Sequence, residues 1–207
     1  MTRSRIALFA AIGGLALVAA VGIGVRDIIG GAHRQSSTSG TAAIGGPFTL
    51  VDDDGATVTQ ASLAGKPSVL YFGYTFCPET CPTTLADLTR WIHKLGPDAG
   101  KLNYVFITVD PQRDTPKVLH EYLSSFDKRI RGFTGTPAQI AQMAKEYKVY
   151  YQKIPTKGVG YLMDHSAMIY LMRADGKFAG IIPYQEKDDV AVAKLEKLTT
   201  GPRDSPE

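Results

Sequence analysis

At 207 residues with 44% apolar content, the chain reads as one packed domain plus a targeting segment. Its formal net charge is +3 and no block of Lys and Arg is interleaved with aromatics, which argues against nucleic-acid binding. Its 2 cysteines are too few for a disulfide scaffold at this length and read as a redox pair, metal ligands, or both.

Arg3 and Arg5 open the chain, and Ile6–Val25 follows without a charge. As a helix that stretch is about 30 Å long, enough to span a hydrocarbon core. The expectation is a cytoplasmic segment 1–5 and an uncleaved transmembrane anchor 6–25, with the rest of the chain outside the cytoplasm; Arg26 weakens the charge bias that sets this orientation. A cleaved signal peptide is the alternative, although its apolar region usually runs ~7–15 residues. Residues 26–45 then read as a flexible linker, because Gly30–Gly46 is small and polar. His33 lies within it as a solvated residue.

A folded domain is expected over 46–200, with 201–207 as a polar tail. Phe48–Val51 and Ala56–Thr59 flank an Asp-Gly turn and predict a hairpin. Ser68–Phe72 reads as a buried strand, and Leu85, Leu88, Ile92 and Leu95 recur at helical spacing. Leu102–Val109 is a second near-continuous apolar strand, so a parallel βαβ unit follows. Asp114 or Thr115 can cap a helix that Pro116 starts; Thr136 and Pro137 repeat the pattern after a short strand at Ile130–Thr134. Val149–Gly160 reads as a mobile excursion of mixed strand and loop character, and Tyr161–Ser166 as a lead-in to the strand Ala167–Met172. Phe178–Ile182 returns as the hairpin partner of that strand, and a last helix covers about Asp188 to Leu198. This order predicts an α/β, thioredoxin-like fold: a central mixed sheet flanked by helices, with an extra N-terminal β-hairpin and one transmembrane helix before it.

Between the first buried strand and its helix lies Gly73–Pro82, which holds Cys77 and Cys81. Free N–H groups and the positive end of a helix dipole there favour thiolate over thiol. The Cys-x-x-x-Cys spacing is one residue longer than the usual dithiol motif. It permits a disulfide and equally suits two thiolates on one metal ion. A third ligand would come from His33, His93, His120 or His165. His165 differs from the others in preceding a strand between Asp164 and Ser166, either of which could hold its second ring nitrogen. Sequence spacing alone does not bring it to the cysteines. Asp110, Arg113 and Asp114 read as helix capping plus a salt bridge, with partner docking as the other reading.

Gly73–Pro82, Val109–Pro116 and Asp164-His165-Ser166 together resemble the Sco/SenC family of membrane-anchored, thioredoxin-like copper proteins tied to cytochrome c oxidase assembly. The resemblance covers about residues 46–200 and the anchor. It implies that Cys77, Cys81 and His165 are copper ligands, a donor set suited to Cu(I), or to Cu(II) with a further ligand. It also implies a bacterial inner-membrane, single-pass protein whose soluble domain faces the periplasm. There it would take copper from an upstream donor and pass it to the copper-A centre of oxidase subunit II. The alternatives are a thiol–disulfide oxidoreductase using Cys77 and Cys81, or a redox or copper sensor. A peroxiredoxin-like peroxidase is disfavoured, because Thr75-Phe76-Cys77 lacks its motif spacing. Metal binding is expected to order Val149–Asp164.

Overall fold

A computed structural model describes residues 44–201, Val159 excepted. The expected anchor 6–25, the cytoplasmic segment, nearly all of the linker and the tail past Gly201 lie outside the described residues. Among the described residues no helix is long and apolar enough to cross a membrane.

Strands β1 (Thr49–Asp52) and β2 (Thr57–Thr59) form the expected N-terminal hairpin, with Leu50 opposite Val58. The Asp52 carboxylate closes its turn by accepting from the N–H groups of Asp54 at 3.1 Å and Ala56 at 2.7 Å. Gly55 supplies the left-handed backbone that the turn requires, at φ +89°.

The chain then alternates β3 (Ser68–Gly73), α1 (Thr80–Leu95), β4 (Asn103–Thr108), α2 (Pro116–Leu123), β5 (Ile130–Thr134) and α3 (Pro137–Glu146). Strand β3 pairs in parallel with β4 from Ser68↔Asn103 to Gly73↔Thr108, and β4 pairs in parallel with β5. Every residue of β3 is buried, which is why its sequence is a continuous apolar run rather than an alternation. Thr115 and Thr136 cap α2 and α3 with a proline at the first helical position of each. Strands β8 (Ile169–Met172) and β9 (Phe178–Ile182) extend the sheet antiparallel beyond β3, and α4 (Asp188–Thr200) packs on α1. Asp188 fastens that contact, accepting from Trp91 Nε1 at 2.7 Å and from Arg90 and Lys94. The resulting seven-stranded mixed sheet has the order β2-β1-β5-β4-β3-β8-β9. This is the thioredoxin-like plan with an added hairpin.

One expectation is corrected. Val149–Gly160, expected to mix strand and loop, holds a full six-residue strand, and Tyr161–Ser166 is more than a lead-in. β6 (Tyr151–Thr156) and β7 (Gly160–His165) pair antiparallel, from Tyr151↔His165 to Thr156↔Gly160, as a ribbon separate from the main sheet. Periodicity missed it because Gln152, Lys153, Ile154 and Pro155 are all exposed, so no face-to-core alternation is written in the sequence. Pro155 is tolerated because a two-stranded ribbon has an edge on each strand where no N–H is needed.

Candidate metal centre

Strand β3 ends at Gly73, where the side chain must be absent. A Cβ built there would lie 2.7 Å from the Phe106 ring and 2.8 Å from the Cys81 sulfur. The chain turns through Tyr74–Cys77, with the Cys77 N–H donating to the Tyr74 carbonyl at 3.3 Å, and enters α1 at Thr80. Cys77 therefore stands before the helix and half-exposed, whereas Cys81 lies inside its first turn and is fully buried. The Cys81 N–H, one of the donors a helix start leaves free, points at the Cys77 sulfur at 3.3 Å.

The two thiols consequently titrate apart. The hydrogen bond from the Cys81 side chain pulls Cys77 down to about 4; burial opposes this, and His165 and the N–H groups of Cys81 and Glu79 assist it. The same shared hydrogen bond, followed by burial, pushes the Cys81 thiol far up. One proton serves two sulfurs, and it stays on the buried one.

His165, the last residue of β7, brings Nε2 to 3.5 Å from the Cys81 sulfur. Its Nδ1 lies 3.0 Å from the Ser166 carbonyl oxygen. A carbonyl can only accept, so Nδ1 carries a proton, and Nε2 is the ring nitrogen that faces the sulfurs. Of the two neighbours expected to hold the ring, Ser166 does so through its backbone. Asp164 faces the Tyr150 hydroxyl at 3.4 Å instead. The rings of Tyr74 and Tyr71 stand edge-on to the imidazole at 5.8 and 6.4 Å.

Cys77 Sγ, Cys81 Sγ and a ring nitrogen of His165 all lie within 4.8 Å of one another, the only such group of three or more among the described residues. Two thiolates and one imidazole form a soft to borderline set that fits a thiophilic transition metal. The other histidines are elsewhere: His93 faces Asp127 at 3.3 Å and His120 faces Asp53 and Asp54 at 3.8 and 3.7 Å, while His33 lies outside the described residues. A cleft of about 370 Å³, lined by Cys77, Glu79, Ile154, Leu162 and His165 among others, opens onto the group. Two larger cavities, about 480 and 590 Å³, contain none of the three residues; chemistry rather than volume singles out the smaller one.

The Asp110–Pro116 segment follows β4 and abuts the cysteine loop. Thr115 provides the cap, so Asp114 is free for another task. Fully buried, it accepts from the Thr75 N–H at 3.0 Å, the Thr75 hydroxyl at 2.6 Å and the Thr108 hydroxyl at 2.6 Å. Burial raises its pKa and these hydrogen bonds oppose the rise. Asp110 makes the expected ion pair with Arg113, and it also accepts from the Tyr161 hydroxyl of β7 at 2.9 Å. Sequence reasoning missed this second layer of contacts. The available signal was position: the segment leaves the carboxyl end of the strand beside β3, where ligand sites form in open α/β sheets.

Comparison with known proteins gives a consistent picture. The SCO1/SenC family profile matches residues 36–200. The chain is 44% identical over 171 residues to Protein SCO1 homolog 1, mitochondrial, of Arabidopsis thaliana, covering 82% of this chain and 49% of that protein. It is 40% identical over 157 residues to Protein SenC of Rhodobacter capsulatus, covering 76% of this chain and 70% of that protein. Matches to the plant and yeast relatives thus span about half of their length. Among solved structures, ScoI of Bradyrhizobium japonicum with copper bound is 47% identical, with a TM-score of 0.71 over 75% of this chain and 99% of that one. Yeast Sco1 with copper bound is 38% identical, with a TM-score of 0.73 over 79% of this chain and 92% of that one. With the profile running across most of the sequence and the fold shared by both solved relatives, the chain belongs to the SCO1/SenC family.

Proposed function

We propose that this chain binds copper through Cys77, Cys81 and His165 and delivers it to the copper-A centre of cytochrome c oxidase subunit II. The observation that carries the reading is the convergence of two sulfurs and one imidazole nitrogen within 4.8 Å of one another, with Cys77 and His165 lining a cleft. Copper is the cargo. Cys77, half-exposed and held as thiolate, is the first sulfur an incoming donor or departing acceptor meets. Cys81 and His165 stand behind it at 3.5 Å from one another. Incoming thiolates from the acceptor replace the three ligands one at a time, so the ion is never released to water. Residues 6–25 serve as a single-pass anchor in the bacterial inner membrane and place the domain in the periplasm. There a periplasmic donor loads it, and tethering raises its effective concentration near a membrane-embedded target.

The deciding experiment is a copper titration of the reduced full-length chain in detergent, alongside His165→Ala. We expect one tightly held copper per wild-type chain and a large loss of affinity in the variant. Equal affinity in the two proteins would overturn the three-ligand site.

The inequality of the two thiols supports a second reading, thiol–disulfide exchange. The Cys77 thiolate would attack a disulfide in the target and form a mixed disulfide, expelling one target thiolate. Cys81, after losing its proton, would then attack Cys77, releasing the target as a dithiol and leaving a Cys77–Cys81 disulfide. His165→Ala separates the readings, since exchange survives that substitution and copper retention does not.

A further inference from the structure

The ribbon that carries His165 is not part of the seven-stranded sheet. Its position against the cysteine loop therefore needs a separate explanation. The Cys81–His165 contact cannot supply it, being a single weak bond at 3.5 Å.

Arg113 stands between the two parts. Its guanidinium carbon lies 3.9 Å from the centre of the Tyr161 ring on β7, four residues before His165. On the loop side it lies 4.6 Å from the Phe76 ring and 5.7 Å from the Tyr74 ring, the aromatics that precede Cys77. Nη1 donates to the Tyr161 carbonyl at 3.1 Å, and Nε donates to buried Asp110, which also accepts from the Tyr161 hydroxyl. A neighbouring tie runs from Lys153 of β6, whose Nζ donates to Gln112 at 2.7 Å and lies 4.0 Å from the Tyr161 ring. Nη2 is buried and has no hydrogen-bond partner among the described residues. Besides these hydrogen bonds, the guanidinium lies over three aromatic rings, two from the cysteine loop and one from the ribbon. The same stack explains why Phe76, 57% exposed, is aromatic at all: it covers the guanidinium.

We propose that Arg113 is a positioning residue of the metal centre, fastening the ribbon, and through it His165, to the loop that carries Cys77 and Cys81. The stack needs a planar cation with a fork of donors. Lysine keeps the charge and lacks both features, so Arg113→Lys is the informative substitution.

The test uses the full-length chain, metal-free and reduced. Hydrogen exchange is read at residues 151–165 and at β3 and β4, and the His165 ring signals are followed by NMR. Arg113→Lys is expected to speed exchange in the ribbon while β3 and β4 keep wild-type protection. The His165 signals should lose the shifts imposed by Tyr74 and Tyr71. Wild-type exchange in the ribbon with unmoved His165 signals would overturn the proposal. If β3 and β4 loosen as well, Tyr161→Leu measured against Tyr161→Phe decides, because both leave the Arg113–Asp110 pair and remove the hydroxyl's bond to Asp110, and only the leucine removes the ring face. Loosening confined to the ribbon then supports the proposal, and an unchanged ribbon overturns it. The proposal rests on the copper reading only in its last consequence, a copper affinity about 10–100-fold weaker in Arg113→Lys. A wild-type chain that binds no copper would overturn that reading and leave the metal-free measurements to judge the clamp.

Discussion

Cys77 and Cys81 are four residues apart and chemically unequal, and the difference comes from where the helix begins. Because α1 starts at Thr80, Cys77 receives an N–H from the helix start, and Cys81 is drawn inside to face Gly73. The attacking species of a thiol is its thiolate. With its folded pKa pushed down to about 4, Cys77 remains reactive as pH falls past the ordinary thiol value and loses reactivity only near pH 4. Alkylation of the reduced chain by iodoacetamide at about pH 6, read by mass spectrometry, should therefore label Cys77 and spare Cys81. Labelling of both, or a Cys77 rate that falls away below about pH 8, would show that the shared proton is placed wrongly.

At the scale of elements, the site is built from three chain segments, each at the carboxyl end of a strand. The cysteine loop follows β3, the Asp110–Pro116 segment follows β4, and His165 closes β7. Asp114 joins the first two through Thr75 and Thr108, and Arg113 joins them to the third. The junction of β3 and the loop tolerates no added carbon. Gly73→Ala would push its methyl against the Phe106 ring and the Cys81 sulfur, at 2.7 and 2.8 Å before relaxation. We expect this overpacking to cost about 1–3 kcal/mol, read as a lower urea midpoint. Copper affinity should fall as well, because the displaced sulfur is one of the three proposed ligands. A variant with wild-type midpoint and affinity would show that the strand end can yield.

For the molecule as a whole, Asp127 is a long-range fastening outside the Cys77, Cys81 and His165 group. It sits between α2 and β5, its N–H donates to Thr89 of α1 at 3.1 Å, and its carboxylate accepts from the N–H, Nε and Nη2 of Arg129 at 2.9, 2.8 and 2.8 Å. Arg129 holds the Asp127 carboxyl below the usual carboxylate range. A depressed folded pKa adds stability above the unfolded value, and that stability is lost as pH falls through the folded one. Arg129 is 38% exposed, so screening limits the contribution to about 1 kcal/mol. Asp127→Asn should thus be less stable than wild type at pH 7 by about that amount. The gap should close progressively below about pH 4, the ordinary aspartate value. Urea unfolding of both proteins at pH 7 and at low pH measures it; a gap that persists in acid would assign the effect to packing.

Much of this architecture was legible in the sequence. The hairpin turn at Asp52–Gly55, the continuous apolar run of β3, and the Thr-Pro starts of α2 and α3 are all signals contained within a few residues. The strand–turn–helix that places Cys77 and Cys81 was legible for the same reason. Local chemistry determined those elements because turn, cap and burial pattern each act over roughly one or two turns of chain. Two features were not local. Asp114 could cap a helix or anchor a loop with equal chemical ease, and only the approach of Thr75, 39 residues away, decided between them. From residues alone four histidines stood open, and it was the family resemblance that pointed to His165. Its meeting with Cys81 spans 84 residues and depends on an exposed ribbon with no periodic signature. The sequence by itself determined where the sulfurs sit and that a helix start there favours a thiolate, while burial in the folded chain set Cys81 apart from Cys77. Tertiary structure decided which imidazole faces them, because that choice is made by the side chains of Arg113, Asp110 and Tyr161 holding one piece of backbone against another.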